Sequence, residues 1–210
     1  FRKLLTDSAG VRYASMPNFD ESMLDGVMRA DWDKVMARTI KVRDMMNGAD
    51  SVKIETPNGT SIRFSIKGRN VVADTGILIE EGSSGNLPAG EAFVAPVEGS
   101  AEGVLVLDWA PMRKLKSPIR LTIQAGTVVG VSGEEEYARV LEAKLAENPL
   151  CGNIAELGVG TNDMATRADN ILESEKILGT IHIALGDNST FGGKVSVPFH
   201  QDFVFFGPTL

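Results

Sequence analysis

The chain contains 210 residues, 43% of them hydrophobic and 23% charged, which is enough to bury a core as one large domain or two small ones. Its net charge of −7 argues against nucleic acid as a partner, and its single cysteine excludes a disulfide framework and a thiolate zinc knuckle. The sequence lacks the roughly 18 consecutive apolar residues that span a bilayer and opens without a signal-peptide core, so we expect a cytoplasmic protein with no membrane partner.

The first predicted elements are helices. Residues 19–48 show helical periodicity, with Asp20 and Asp31 as the expected N-caps. The period then changes to two in residues 51–56 and 61–66, which predicts a hairpin. Further strand-like runs follow at residues 71–73, 92–95, 103–108, 119–123 and 128–131. Because no helix between them is long enough for a parallel crossover, we expect antiparallel β structure in the middle of the chain.

The last third of the chain mixes helices and strands. One helix is predicted to begin at Ser132 as N-cap and to stop at Pro149, and a shorter one lies around residues 171–177. Two strands follow, one on each side of a glycine-rich loop at residues 187–194. Helices at both ends and strands between them predict an α+β fold with a mainly antiparallel β core.

The only two histidines of the chain occupy positions that suit a metal ion. His200 forms a His-x-Asp pair with Asp202, and in an extended strand both side chains point to the same face. His182 lies in Gly-Thr-Ile-His-Ile-Ala-Leu-Gly, where glycines let backbones approach closely. Since thiolate sites are excluded, the sequence predicts a metal site with nitrogen and oxygen ligands.

Two glutamates stand inside otherwise apolar segments. Glu91 follows Asn-Leu-Pro-Ala-Gly, and Glu156 lies among Ile154, Ala155 and Leu157. A buried carboxylate is costly unless it is paired, hydrogen-bonded or bound to a cation, which adds both residues to the candidate site. A solvent-facing strand position is the alternative for Glu156.

Four segments occur in a fixed order: Asn-Leu-Pro-Ala-Gly-Glu, Ala-Glu-Leu-Gly-Val-Gly-Thr-Asn, Gly-Thr-Ile-His-Ile-Ala-Leu-Gly and His-Gln-Asp. Together they resemble the M29 aminopeptidase (thermophilic metallopeptidase) family over about residues 40–206. The resemblance implies that residues 49–210 form the metal-binding catalytic domain. Residues 1–48 are then a helical segment left from a preceding α/β domain, and the protein is expected to be a homodimer.

The resemblance also implies that Glu91, Glu156, His182, His200 and Asp202 bind two divalent ions, commonly zinc or cobalt. Such a pair lowers the pKa of a bridging water and polarises a peptide carbonyl, so the implied activity is removal of N-terminal residues from a peptide substrate. Glu91 or Glu156 is expected to accept the proton of that water. The sequence leaves open which of the two is base and which is ligand.

One departure from the M29 pattern keeps other functions open. The family commonly has a tyrosine seven residues after the first histidine, and Ser189 stands there instead. His182, His200 and Asp202 alone are the two-histidine, one-carboxylate set of non-haem Fe(II) oxygenases, and ring-cleaving dioxygenases that act on hydroxypyridines resemble the M29 fold. The alternatives are therefore a mononuclear Fe(II) ring-cleaving dioxygenase or a non-catalytic metal-binding homologue.

Overall fold

A computed structural model describes residues 4–210 of the chain. It confirms the α+β prediction, with two five-stranded sheets whose strand pairs are all antiparallel and one small parallel pair. The strands are Tyr13–Ser15 (β1), Ser51–Glu55 (β2), Ser61–Ser65 (β3), Val72–Asp74 (β4), Ser84–Asn86 (β5), Glu91–Val94 (β6), Glu102–Ala110 (β7), Arg113–Gln124 (β8), Thr127–Ser132 (β9), Ile154–Gly160 (β10), Thr180–Gly186 (β11) and His200–Phe206 (β12).

Four α-helices lie among the described residues and flank the sheets. They are Ser22–Asp25 (α1), Trp32–Asn47 (α2), Glu136–Glu147 (α3) and Ile171–Ser174 (α4), and short π or 3-10 segments lie at Leu4–Ser8, Val27–Arg29 and Pro149–Gly152. None of the helices in residues 4–210 is long and apolar enough to cross a membrane. The predicted helical segment 1–48 begins with three residues that lie outside the described ones, and the boundary at residue 48 stays a prediction.

Local sequence signals explain one helix start and mislead at another. The carboxylate of Asp31 accepts a hydrogen bond from the Lys34 backbone N–H, which is the predicted N-cap of α2. The prediction that Ser132 caps α3 is wrong, because Ser132 ends β9, where it pairs with Arg120. Helix α3 begins only at Glu136.

The two large sheets share one hydrophobic core. One has the strand order β2-β3-β7-β8-β9 and the other β12-β11-β10-β6-β4. The first sheet contributes residues such as Leu105 and Leu121, the second contributes Leu157, Ile183 and Phe203, and all five are at most 1% exposed. Burying this apolar surface is the main driving force for the fold. It leaves the opposite face of the second sheet free to carry polar groups.

Candidate metal centre

All five residues predicted to bind metal lie on four neighbouring strands of one sheet. Glu91 begins β6, Glu156 is on β10, His182 is on β11, and His200 and Asp202 are on β12. The sequence could place only the last two together, because strand order is set by long-range pairing. The structure brings all five to one face.

The register of the strands explains this convergence. Glu156, Ala184 and Asp202 form one row across β10, β11 and β12, and Gly158 and His182 pair in the next row. Side chains two residues apart share a face, so every predicted donor projects from the side away from the core. Glycine and alanine between the donors leave room for them.

Gly158 has a specific spatial role beneath one imidazole. A Cβ atom at residue 158 would lie 2.8 Å from His182 Nδ1 and closer still to two other ring atoms. The backbone of Gly158 does not have a positive φ, so the need for glycine here is steric and not conformational. The imidazole therefore lies directly on the backbone of β10.

The donor atoms form two groups that share Glu156. Glu91, Glu156 and His182 offer ligand atoms within 4.8 Å of one another, and so do Glu156, His200 and Asp202. His182 Nε2 is 3.2 Å from Glu91 Oε2 and 3.5 Å from Glu156 Oε1. His200 Nε2 is 3.4 Å from Glu156 Oε2 and 3.5 Å from Asp202 Oδ2. Spacings of this size separate ligand atoms that bind one ion at about 2.0–2.2 Å.

Hydrogen bonding orients one of the imidazoles for metal binding. His200 Nδ1 lies 2.7 Å from the carbonyl oxygen of Asp187, an atom that can only accept, so Nδ1 carries the proton and donates. This leaves Nε2 facing the carboxylates Glu156 and Asp202 with its lone pair available in the neutral ring. A second hydrogen bond that fixes the tautomer in this way is typical of metal-binding histidines.

The electrostatics of the cluster favour a cation. Burial opposes protonation of His182, but the hydrogen bond to Glu156 and the charge of Glu91 outweigh it and raise the pKa of His182 to about 9. Burial also opposes protonation of His200, yet Asp202 and Glu156 raise its pKa to about 11. Protons on the two imidazoles thus balance the negative charge of the carboxylates. A bound metal ion can supply that positive charge instead.

Unpaired buried atoms at the same place also fit a metal ion. Among residues 4–210, the buried side-chain atoms without a hydrogen-bond partner are Glu91 Oε2 and His182 Nδ1. Leaving such atoms unpaired costs about 1–3 kcal/mol each, more for a charged group. Glu91 Oε2 makes no hydrogen bond but lies 3.2 Å from His182 Nε2, an arrangement in which both atoms can bind one cation.

A buried lysine beside the donors was missed by the sequence reasoning. Lys176 Nζ lies 2.6 Å from Glu91 Oε1 and 2.9 Å from Glu175 Oε2, and its side chain is 0% exposed. Burial opposes the charge of Lys176, but Glu175 and Glu91 raise its pKa well above the usual value. Burial raises the pKa of Glu175 to about 8, against the charge of Lys176. The only sequence signal was a Glu-Lys pair before a strand, a pattern that is ordinarily exposed.

A pocket of about 340 Å³ opens onto the donors. Its lining includes four of the five predicted donors, Glu91, Glu156, His200 and Asp202, together with Glu175. The remaining lining residues are mostly apolar or uncharged: Pro17, Asn86, Phe93, Ile171, Leu172 and Gln201. The pocket is therefore acidic at its base and apolar on its walls.

The loop between β11 and β12 lies beside this pocket. The Phe191 ring packs edge-on against His200 at 5.9 Å and against Phe93 at 5.6 Å. Asn188 is buried and ties the loop to Glu98, with 3.1 Å between Asn188 Nδ2 and Glu98 Oε1. Ser189, which stands where M29 members have tyrosine, is exposed and its hydroxyl donates to Asp187. In this loop, aromatic contact with the donors comes from Phe191.

Comparison with known proteins identifies the family. The model of the family described as NicX, 2,5-dihydroxypyridine 5,6-dioxygenase, matches residues 28–210. A 2,5-dihydroxypyridine 5,6-dioxygenase of Pseudomonas putida is 27% identical in an alignment of 181 residues that covers 79% of this chain and 51% of that protein. The chain thus spans about half the length of the curated relative it matches.

Two solved structures have a similar fold. A 2,5-dihydroxypyridine dioxygenase from Pseudomonas putida superposes with a TM-score of 0.83 at 22% identity, covering 99% of this chain and 63% of the solved one. AmpT from Thermus thermophilus superposes with a TM-score of 0.61 at 18% identity, covering 84% of this chain and 50% of the solved one. At these identities the likeness establishes the fold alone.

These matches correct the functional prediction made from the sequence. The aminopeptidase assignment is wrong, as is the hydrolase class, because the family model and the curated relative both name a dioxygenase. The resemblance to M29 enzymes holds for the fold, and the prediction of two zinc or cobalt ions has no support. Since its family model covers residues 28–210, the chain belongs to the 2,5-dihydroxypyridine 5,6-dioxygenase (NicX) family.

Proposed function

We propose that this chain is an iron(II)-dependent dioxygenase that opens the ring of a dihydroxypyridine between C5 and C6. The observation that carries the proposal is that two donor groups, each with one imidazole, share Glu156, and that Glu156, His200 and Asp202 line a pocket whose other lining residues are largely apolar. Two histidines and one carboxylate with open positions are the ligand set of non-haem Fe(II) oxygenases. The name of the family agrees with this chemistry.

His182, His200 and Asp202 would hold the iron in this proposal, with Glu156 in reach of both imidazoles. When bound, iron(II) with open coordination positions supplies the one-electron chemistry with dioxygen that amino-acid side chains lack. The chain itself fixes the ligands. The Asp187 carbonyl orients His200, and the backbone of Gly158 supports His182.

The walls of the pocket suit a small flat ring. Phe93, Ile171 and Leu172 offer apolar surface on which an aromatic ring can pack, and a volume of about 340 Å³ is at the small end of the range for ligand pockets. Glu175 and Gln201 add polar groups that can hydrogen-bond to ring hydroxyls or to the ring nitrogen. This division fixes the plane of the ring by packing and its orientation by hydrogen bonds.

The β11–β12 loop would keep water from the reacting ring. Phe191 packs against both His200 and Phe93, two residues that line the pocket, so it shields the imidazole on that side. Excluding water strengthens the electrostatic interactions within a site and prevents side reactions of oxygen intermediates. Asn188 and Glu98 hold the loop in place.

The proposed reaction balances without an external reductant. One substrate molecule and one dioxygen give one ring-opened product: the C5–C6 bond breaks, and each of these carbons receives one oxygen atom. The ring supplies all four electrons that reduce dioxygen. An assay for this activity therefore contains only protein, iron(II), substrate and dioxygen.

The test is oxygen uptake by the 210-residue chain loaded with iron(II) and given 2,5-dihydroxypyridine. We expect one dioxygen consumed per ring, with both atoms of labelled dioxygen recovered in the product by mass spectrometry. Asp202→Asn, which removes a proposed ligand charge, should lower the rate at least 100-fold. Glu142→Gln changes an exposed carboxylate on α3 and is the matched control, with an unchanged rate.

Three outcomes would contradict the proposal. They are no oxygen uptake by protein shown to contain iron, incorporation of only one labelled oxygen atom, and equal rates for Asp202→Asn and Glu142→Gln.

A further inference from the structure

Lys176 places a fixed positive charge inside the candidate metal centre. Its side chain is completely buried, and its ammonium bonds to Glu91 at 2.6 Å and to Glu175 at 2.9 Å. Backbone hydrogen bonds hold the residue in place, from the Lys176 N–H to the Glu173 carbonyl and from the Asn162 N–H to the Lys176 carbonyl. Burying an ammonium group costs free energy unless opposite charges surround it, so the pairing of Lys176 with two carboxylates is a specific feature of this site.

The donors around Lys176 are sufficient for two ions. The buried group contains Glu91, Glu156 and His182, and the group facing the pocket contains Glu156, His200 and Asp202. A shared carboxylate is the usual link between two closely spaced metal ions. Lys176 touches Glu91, the one carboxylate that belongs only to the buried group.

We propose that Lys176 restricts the centre to a single divalent ion, because its ammonium neutralises Glu91 and occupies the place of a second cation's charge. The inference rests on the proposed function for the use of that one ion. An ion bound to the free oxygen of Glu91 would be separated from the ammonium by a single carboxylate group. At that separation, in a buried site, like charges repel strongly. Glu156, His200 and Asp202 remain as a complete donor group for one ion, with His182 beside Glu156.

The proposal makes a prediction about stoichiometry that needs no substrate. Protein stripped with a chelator is titrated anaerobically with Co²⁺, and bound metal is counted by elemental analysis after gel filtration. Wild-type protein should bind one equivalent. Lys176→Gln, which replaces the ammonium with an uncharged amide on a slightly shorter side chain, should bind two. Two neighbouring Co²⁺ ions should reduce the electron paramagnetic resonance signal per ion. Wild-type protein with two ions, or Lys176→Gln with one, would overturn the proposal.

Two further variants keep the test decisive. Glu175→Gln changes the other partner of Lys176 but leaves the contact with Glu91, so it should still bind one ion. If Lys176→Gln does not fold even with two equivalents of Co²⁺, Glu91→Gln decides instead. The proposal expects one ion in Glu91→Gln with an affinity within about tenfold of wild type, and loss of binding in that variant would refute it.

The inference and the proposed function fail in different ways. One ion in the wild type and two in Lys176→Gln, without oxygen uptake by the iron-loaded chain, would leave the inference standing and remove the dioxygenase. Oxygen uptake with one ion in both proteins would do the reverse. A wild-type chain that binds no Co²⁺ would overturn the inference whatever the oxygen assay shows.

Discussion

Replacing Gly158 with alanine should weaken metal binding without unfolding the protein. The added Cβ would lie 2.8 Å from His182 Nδ1 and still closer to two other atoms of the ring, whereas ordinary contacts begin at 3.4 Å. The imidazole must therefore move by roughly 1 Å, and a displacement of that size costs on the order of 100-fold in a precisely arranged site. We expect metal affinity to fall between about 10-fold and 100-fold, or about 1.4–2.7 kcal/mol.

Gly130→Ala provides a matched control for this prediction. Gly130 is also a strand glycine without a positive φ, and the nearest atoms to its added Cβ belong to Thr122 at 3.8 Å. Competition with a coloured chelator gives the Fe²⁺ affinity of both variants, and circular dichroism reports their folding. The steric argument is refuted if Gly158→Ala binds Fe²⁺ as tightly as Gly130→Ala.

Three other predictions concern the loop, the core and the metal. Asn188→Ala removes the hydrogen bonds that the buried Asn188 amide makes with the Glu98 carboxylate and the Val195 N–H. It should destabilise the protein by about 1–3 kcal/mol and speed proteolysis of the loop 187–199, whereas the exposed Ser189→Ala should change neither. Burial raises the pKa of Tyr137 to about 12, so wild type should lose about 2 kcal/mol of stability relative to Tyr137→Phe as the pH rises from 10 to 12. Equal urea midpoints at pH 11.5 would contradict this. Fe²⁺ at about 100 times its dissociation constant should stabilise the wild type by about 2.7 kcal/mol, reversed by chelator, and a melting temperature indifferent to both would exclude a specific site.

The period of a strand predicted part of the metal centre. His200 and Asp202 were expected on one face from their spacing alone, and their side chains lie 3.5 Å apart. The sequence could not place Glu156 beside them, because that contact depends on the pairing of β10 with β11 and of β11 with β12. Ala184 lies between Glu156 and Asp202, but its role in leaving room for them could not be recognised from the sequence, because a small residue in a strand can have many roles.

The helix expected at Ser132 shows how long-range strand pairing can override a local capping pattern. Serine followed by acidic residues is typical of a helix start. In the structure Ser132 pairs with Arg120 in a sheet, and Glu135 instead accepts hydrogen bonds from the backbone of Lys116 and from Arg113. The acidic side chain that would favour the helix N-terminus therefore joins α3 to β8.

The predicted pair of ions followed from the resemblance to M29 enzymes, and a charge count limited to the predicted ligands agreed with it. Glu91, Glu156 and Asp202 carry three negative charges, and when only predicted ligands are considered, one divalent ion leaves an excess that a second ion would offset. Lys176 is no metal ligand, but its ammonium is as close to Glu91 as a hydrogen bond allows. One divalent ion and one ammonium balance three carboxylates, whereas two divalent ions and one ammonium do not. The same donors can serve a one-ion or a two-ion centre, and the charge of Lys176, which is not a ligand, decides between them. The Co²⁺ stoichiometry of Lys176→Gln measures this effect directly.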